Sequence, residues 1–290
     1  MEVMFLPSSY LFTLERVVEG NQKVVLRDHP NKVYFEYFIR KNFGKISQRE
    51  MARRLKIGKT TVNRLSGEMG LKFLKYTANE NFFKSFSREM AYILGFIFAD
   101  GNVSWNEKES RWSLTITQSR KDFEHLERIR RILKANRPLY YSPKTKAYRL
   151  IVASKKLCRD LIELGVVPRK SLTVDFPKIP ENFLNDFVRG IIDGDGSVFY
   201  FDRKRSPYLA IRIYSGSKKF LVRMEQIIRK KLGISSKVRN IHGNTYGLQY
   251  TCNQARILAR WIYTDTDLFL KRKFKNYDIC IQKEVLITAK

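Results

Sequence analysis

The chain has 290 residues, of which 56 are Lys or Arg and 28 are Asp or Glu, so its formal net charge is +28. Such a surplus bears on partners rather than on fold, and it makes nucleic acid the first candidate partner. No apolar run spans a bilayer, the N-terminus lacks the pattern of a secretory signal, and the three cysteines form neither a CxxC pair nor a zinc spacing. We therefore expect a reduced, cytoplasmic (intracellular) protein of about two domains that binds no membrane.

Residues 1–30 and 76–86 are the two stretches without a clear pattern. The first contains only short alternating runs, and no role is assigned to it. The second lacks helical or strand periodicity, and we interpret it as a linker.

The region between them is predicted to be helical. Residues 32–42 have apolar side chains at helical spacing, Ser47 and Glu50 form an S-x-x-E capping box, and Gly58 lies in a short turn before the next helical stretch. This pattern resembles a helix-turn-helix, and it favours a DNA-binding domain over residues 31–75. A plain three-helix packing module is the alternative. The recognition residues would be Lys59, Thr60, Thr61, Asn63 and Arg64.

The rest of the chain contains an internal repeat, with copies over residues 87–178 and 179–290. Residues 88–101 resemble 186–196, and an alternating strand, a helix, two further strands and a closing helix follow in each copy. We predict an α+β fold of two pseudo-symmetric αββαββα repeats, preceded by the small helical domain. Each repeat would have one antiparallel sheet with one face covered by helices and one face open.

The open faces supply candidate DNA contacts, because period-two alternation separates buried from open side chains. Arg and Gln can read base edges, whereas Ser and Lys more often hold phosphates. For each residue taken singly, a solvated surface side chain is the alternative. The candidates are Arg111, Ser113, Thr115, Thr117 and Arg149 in the first copy, and Arg203, Arg205, Tyr208, Arg212, Tyr214, Lys237, Arg239 and Gln249 in the second.

The two helices that open the repeats both end in Asp-Gly, at Asp100 and Asp195. A carboxylate at a helix C-terminus opposes the helix dipole by a few tenths to about 1 kcal/mol. Gly95 and Ala99 are four residues apart, as are Gly190 and Gly194, and small residues at that spacing would let the two helices pack closely. Close packing would bring two like charges together. A divalent cation such as Mg²⁺ removes both penalties and suits phosphodiester hydrolysis. An ordinary turn aspartate is the alternative for either residue alone.

The stretches ILGFIFADG (residues 93–101) and VRGIIDGDG (residues 188–196) resemble the two motifs of single-chain LAGLIDADG homing endonucleases. The segments at residues 157–171 and 268–274 are also similar to that family, so the resemblance covers roughly residues 87–285.

The resemblance implies a monomeric, double-stranded DNA endonuclease whose open sheet faces form a DNA-binding saddle over a long, asymmetric target site. Asp100 and Asp195 would be catalytic and would bind Mg²⁺, with the carbonyl oxygens of Ala99 and Gly194 as further ligands. Mn²⁺ or Ca²⁺ would substitute in binding, and cleavage would leave a staggered break.

The sequence departs from the family pattern where many members carry a lysine after the first strand pair. Ser119 and Gly216 occupy these positions. Gln118 fits a polar residue that positions water, and we include it among the catalytic candidates. The missing cation would come from one of four lysines: Lys121, Lys170, Lys218 or Lys273.

Two other functions fit the same scaffold. One is a non-enzymatic DNA-binding regulator, as in WhiA-type proteins, which also join this scaffold to a helix-turn-helix. The retained aspartate pair argues against it, while the missing lysines argue for it. The other is an intron maturase that binds RNA, for which the sequence offers no discriminating feature.

Overall fold

A computed structural model describes most of the chain. The described ranges are 31–73, 76–107, 111–166, 174–202 and 208–288. The predictions that concern residues 1–30, Arg203, Arg205 and Lys170 lie outside these ranges.

The chain divides into two compact units, residues 1–75 and 76–290. In the described part of the first unit, the Ser47 hydroxyl accepts a hydrogen bond from the Glu50 amide at 3.2 Å, as the capping box predicts. The helix that begins at Gln48 ends before Lys56, whose φ of 54° turns the chain. The apolar faces of three helices bury one small core. They are α1 (Lys32–Asn42), α2 (Gln48–Leu55) and α3 (Lys59–Glu68).

The second unit contains the predicted repeat twice, followed by one more helix. The first copy consists of α4 (Arg88–Asp100), β1 (Gly101–Asn106), β2 (Arg111–Ser119), α5 (Phe123–Ile132), β3 (Tyr140–Ser142), β4 (Ala147–Val152) and α6 (Lys155–Glu163). The second consists of α7 (Leu184–Asp195), β5 (Gly196–Phe201), β6 (Tyr208–Ser215), α8 (Lys218–Leu232), β7 (Arg239–His242), β8 (Thr245–Thr251) and α9 (Cys252–Tyr263), and α10 (Lys271–Thr288) follows.

Each copy forms a four-stranded antiparallel sheet, with strand orders β1-β2-β4-β3 and β5-β6-β8-β7 in the described residues. The registers match, because Gly101 pairs with Ile116 in the first sheet and Gly196 pairs with Ile213 in the second. Along β2 and β6, buried apolar side chains alternate with side chains on the opposite face. The predicted α+β fold of two αββαββα repeats is therefore confirmed.

Residues 76–86 differ from the expected linker, because they pack on the first repeat. Phe83 is buried in the large core, the Asn79 amide donates to the carbonyl of Leu133 at 2.8 Å, and Glu80 accepts a 2.7 Å hydrogen bond from Ser154. These contacts join residues far apart in sequence and follow no local period, so periodicity alone does not reveal them.

Two expectations drawn from composition can also be compared with the structure. The three cysteines, expected to be reduced, are free: Cys158 and Cys280 are buried, and Cys252 is exposed at the start of α9. No helix in the described ranges is long and apolar enough to cross a membrane.

Candidate functional site

Helices α4 and α7 pack against each other through their backbones. A Cβ placed on Gly190 would lie 2.1 Å from the carbonyl oxygen of Tyr92, and one on Gly95 would lie 2.1 Å from that of Phe187. Only glycine fits at either position, since real Cβ atoms do not approach a carbonyl so closely. These contacts align the two helices and carry their C-terminal ends to the same place.

The helix ends meet at the predicted metal ligands. A Cβ on Gly194 would lie 2.2 Å from the Ala99 Cβ and 3.3 Å from Oδ2 of Asp100. Asp195 is the next residue and is exposed, while Asp100 is half-buried. The structure therefore brings Asp100, Asp195, Ala99 and Gly194 together at one end of the helix pair.

Gln118, the polar residue near the end of β2, lies beside the first aspartate. Its side chain is buried, and its Nε2 donates to Oδ2 of Asp100 at 2.5 Å. The matched registers place Ser215 at the equivalent position of the second sheet. The surroundings of the two aspartates therefore differ between the two copies.

Lys273 is the one lysine of the four candidates that lies at a motif helix in the described residues. It is 3% exposed, and its ammonium donates to the carbonyl oxygens of Ile192 (2.8 Å), Asp193 (2.6 Å), Gly194 (3.2 Å) and Gly196 (2.6 Å). Lys121 and Lys218 are exposed near the ends of their strands. Lys273 thus places a positive charge at the C-terminus of α7, where the helix dipole favours one.

Burial sets the ionisation of this lysine. Desolvation lowers the pKa of Lys273 to about 8, and the nearby carboxylates of Asp193 and Asp100 oppose that shift. The ammonium is therefore the main form at neutral pH. It partly offsets the unfavourable position of Asp195 at a helix C-terminus.

A buried polar network crosses the α4–α7 seam behind the aspartates. The Tyr92 hydroxyl of α4 donates to Oδ2 of Asp193 in α7 at 2.8 Å and lies 2.9 Å from Nε2 of His125. The backbone amide of Leu270 donates to the same Asp193 oxygen at 2.8 Å. Burial raises the pKa of Asp193 and lowers that of His125 to about 4, since both lose hydration in their charged forms.

A second buried pair anchors the segment that precedes α10. Arg189 is 1% exposed and donates to Asp186 at 2.5 Å, to the carbonyl of Leu268 at 2.9 Å and to that of Ile262 at 2.6 Å. Sequence reasoning missed both networks. The available signal was the presence of three charged side chains, Asp186, Arg189 and Asp193, among the apolar residues that precede Asp195 in α7, because buried charges require partners.

The first sheet carries its five DNA-contact candidates on β2 and β4. Thr117 pairs with Arg149 across the strands, so both side chains project on the open face. Nε of Arg149 is buried and has no hydrogen-bond partner among the described residues. The four candidates on β2 stand at alternate positions and are partly exposed: Arg111, Ser113, Thr115 and Thr117.

The second sheet places its described candidates around one groove. Arg212 pairs with Gln249 between β6 and β8, and Nε of Arg212 is likewise buried without a partner within the described ranges. Tyr208 is partly exposed at the start of β6. The groove is lined in part by Arg212, Tyr214, Lys237, Arg239 and Gln249.

The recognition candidates of the first unit lie at the start of α3. Arg64 forms a 2.5 Å ion pair with Glu68 one turn later. Thr61 is half-buried and the others are exposed: Lys59, Thr60, Asn63 and Arg64. Their role in binding DNA stays a prediction.

Comparisons with known proteins find similar solved structures and one family model. No protein with a curated description matches the chain. Mesophilic variants of the homing endonuclease I-DmoI are 19% identical over 66% of this chain and 93% of their own, with a TM-score of 0.45. The meganuclease I-AabMI bound to uncleaved DNA is 15% identical over 70% and 93% (TM-score 0.48), and I-LtrWI bound to target DNA is 13% identical over 72% and 92% (TM-score 0.43).

A family model bears directly on the second repeat. The model described as a LAGLIDADG-like domain matches residues 182–265. That range begins just before α7 and ends just after α9, so it contains Asp195 and the whole second sheet. Residues 182–265 therefore form a LAGLIDADG-like domain.

Proposed function

We propose that this chain is a site-specific, double-stranded DNA endonuclease that hydrolyses phosphodiester bonds at the joined ends of α4 and α7. One observation carries the proposal: Asp100 and Asp195 end two helices whose backbones touch, in a chain with a net charge of +28. Two carboxylates held together resist joint ionisation unless a cation is present. A divalent cation bound between them would lower that cost.

The partner is inferred from the open sheet faces. Arg149 and Arg212 each present a guanidinium whose Nε has no partner among the described residues, on faces lined with hydroxyl and amide side chains. Arginine reads guanine through two hydrogen bonds in the major groove. A basic surface with such side chains on two linked sheets suits a long, asymmetric duplex site bound by a monomer.

The donor atoms fit Mg²⁺, which prefers carboxylate and carbonyl oxygens and keeps several waters. No cluster of three or more His, Cys, Asp or Glu side chains that could hold a metal occurs in the described ranges. Asp100 and Asp195, assisted by the carbonyls of Ala99 and Gly194, would hold the ion, and phosphate oxygens of the substrate would complete its shell. When bound, the ion would polarise the phosphate and neutralise charge on the attacking and leaving oxygens.

The chain's own residues then have distinct tasks. Gln118 holds one oxygen of Asp100 and would orient that carboxylate toward the cation. Lys273 fixes the turn from Ile192 to Gly196, which sets the direction of the Asp195 side chain. Arg149 and Arg212 would hold the duplex so that the scissile phosphates lie over the two carboxylates. We propose that α3 of the first unit adds DNA contacts through its exposed N-terminal residues.

A DNA-binding regulator built on the same scaffold is the second candidate. It is favoured by Ser119 and Gly216, which stand where the LAGLIDADG resemblance leads us to expect lysines. Ser119 instead caps the short turn after β2, with its hydroxyl 3.3 Å from the Lys121 amide.

Cleavage of a selected target decides between the two functions. The protein is used to select its site from a library of randomised duplexes, and the selected duplex is incubated with Mg²⁺ or Mn²⁺. We expect a staggered double-strand break from the wild type, and binding without cutting from Asp100→Asn and Asp195→Asn. Asp175→Asn, an exposed carboxylate paired with Lys219, is the matched control and retains cutting. A wild-type protein that binds its site tightly and never nicks it is a regulator.

A further inference from the structure

The open face of the second sheet carries a strip of aromatic side chains. Phe201 pairs with Tyr208 across β5 and β6, and their rings stack at a centroid distance of 4.7 Å. Phe199 is 40% exposed and lies 6.0 Å from the Phe201 ring. Phe199 also pairs with Ala210, whose small side chain leaves the ring uncovered on that side. We call Phe199, Phe201 and Tyr208 the aromatic strip.

The first sheet has no such strip at the equivalent positions. Counting from Gly101 and Gly196, Ser104 stands at the position of Phe199 and Asn106 at that of Phe201. Arg111 stands at the position of Tyr208. The strand pairs β1–β2 and β5–β6, which share one register, therefore present polar side chains on the open face in the first sheet and aromatic carbon in the second.

One cationic residue flanks the aromatic strip, and two others lie toward the far edge of the sheet. The Arg212 guanidinium lies 5.6 Å from the centre of the Phe199 ring, Arg239 is exposed on β7, and Lys237 is exposed just before that strand. Neither β5 nor β6 contains an acidic residue. The positive charge on this open face therefore favours a polyanion over a protein surface as its partner, so the occupant of this face is nucleic acid.

Resting on the proposed function, we infer that the aromatic strip reads thymine methyl groups in the half-site bound by the second repeat. The bases of a duplex are stacked, so side chains on a sheet reach only their edges in the grooves. The apolar group on a base edge in the major groove is the C5-methyl of thymine. Contact between this methyl and Phe199 or Phe201 removes apolar surface of both partners from water.

The first repeat reads its half-site by a different chemistry. Ser113, Thr115 and Thr117 offer hydroxyl groups and Arg149 offers a guanidinium, so hydrogen bonds to base edges dominate there. The two half-sites then differ in how strongly they depend on thymine methyls. This difference also fixes the orientation of the protein on an asymmetric site.

Replacement of thymine by uracil isolates the methyl group, because pairing and every hydrogen bond are unchanged. The selected duplex is prepared with uracil in one half-site at a time, and dissociation constants are measured by fluorescence anisotropy. We expect binding to weaken by about fourfold for each methyl in contact, the equivalent of exposing one apolar carbon, when uracil replaces thymine in the second repeat's half-site. Uracil in the other half-site leaves the affinity unchanged.

Variants identify which half belongs to which repeat. Phe199→Ser and Phe201→Asn introduce the residues of the first sheet at equivalent positions, and each is expected to bind the thymine and uracil duplexes equally. Ser104→Ala is the matched control in the first repeat and preserves the difference. The comparison of thymine with uracil on the wild type requires no variant, so a misfolded Phe199→Ser protein leaves the test intact.

The two failures are distinguishable. If the wild type selects a site and binds its thymine and uracil forms with equal affinity in both halves, this inference is overturned and the endonuclease proposal stands. If no sequence is selected from the library, both are overturned.

Discussion

The ammonium of Lys273 lies 2.6 Å from the carbonyl oxygen of Asp193 and an equal distance from that of Gly196, at the end of α7. Lys273 belongs to α10 and follows Gly196 by 77 residues in the sequence. Its side chain thus caps the C-terminus of α7, the helix that carries Asp195. Lysine in this position donates to backbone carbonyls at the end of α7, and the Ile192 carbonyl among them also accepts from the Gly196 amide.

Removal of this ammonium is expected to destabilise the second unit. Lys273→Met keeps the length of the side chain and removes the ammonium from the four carbonyls around it, which costs about 2–4 kcal/mol of unfolding free energy. Urea denaturation followed by circular dichroism measures the loss. Lys271→Met is the control, because Lys271 is two residues away and forms only an exposed ion pair with Glu124. Equal stability of the two variants would contradict the capping role.

The glycine contact between α4 and α7 predicts a strong response to a single methyl group. Gly190→Ala would place a carbon 2.1 Å from the Tyr92 carbonyl, so the helices must separate, at a cost of about 3 kcal/mol or more. Gly67→Ala in α3 is the control, since its Cβ meets nothing within 4 Å, and alanine there stabilises the helix by about 0.5–1 kcal/mol. Thermal unfolding of the full chain tests both, and a Gly190→Ala protein as stable as the wild type would argue against the close approach.

The buried His125 predicts a pH-dependent loss of stability. Burial holds its folded pKa at about 4, below the ordinary value of 6.5, so the unfolded chain binds this proton first as the pH falls. The stability is complete above pH 6.5 and declines between pH 6.5 and 4, by about 2–3 kcal/mol at pH 4.5. His125→Gln removes this part of the decline, and the comparison of urea curves at pH 7 and 4.5 isolates it from the carboxylates. The same decline in both proteins would contradict the assignment.

The guanidinium of Arg149, whose Nε has no hydrogen-bond partner among the described residues, predicts a loss of discrimination on substitution. Arg149→Lys keeps the charge but cannot form two parallel hydrogen bonds, so discrimination at one base pair falls by about 1–3 kcal/mol. The dependence of affinity on salt is unchanged because the number of neutralised phosphates is unchanged. Competition binding with single-base-pair variants of the selected site measures this. Arg131→Lys, an exposed α5 residue paired with Glu127, is the control, and a uniform loss at every position would contradict base reading.

Elements with a local period could be predicted from the sequence. The alternation in β2 and β6 predicted which side chains lie on the open faces, and the capping box at Ser47 predicted the start of α2. The repeated Asp-Gly at the ends of α4 and α7 predicted that Asp100 and Asp195 would lie together, which follows once the same fold is adopted twice and its first helices pack.

The remaining features depend on contacts between distant parts of the chain. The sequence around Phe83 shows no apolar periodicity, and Phe83 is buried because it packs into the core of the first repeat. Four lysines were equivalent candidates in the sequence, and only the path of the chain into α10 places Lys273 at α7. The partners of Asp193 come from α4 and from the segment before α10, so its charge had no visible explanation within its own helix.

The sequence by itself determined the repeat, its secondary structure, the open faces and the pair of helix-ending aspartates, because these depend on periods of two and 3.6 residues and on local end signals. The tertiary structure alone decided which cation lies behind Asp195 and which residues join the buried seam network. Each of these requires side chains separated by many tens of residues to meet, and that placement depends on packing and on the burial of charge.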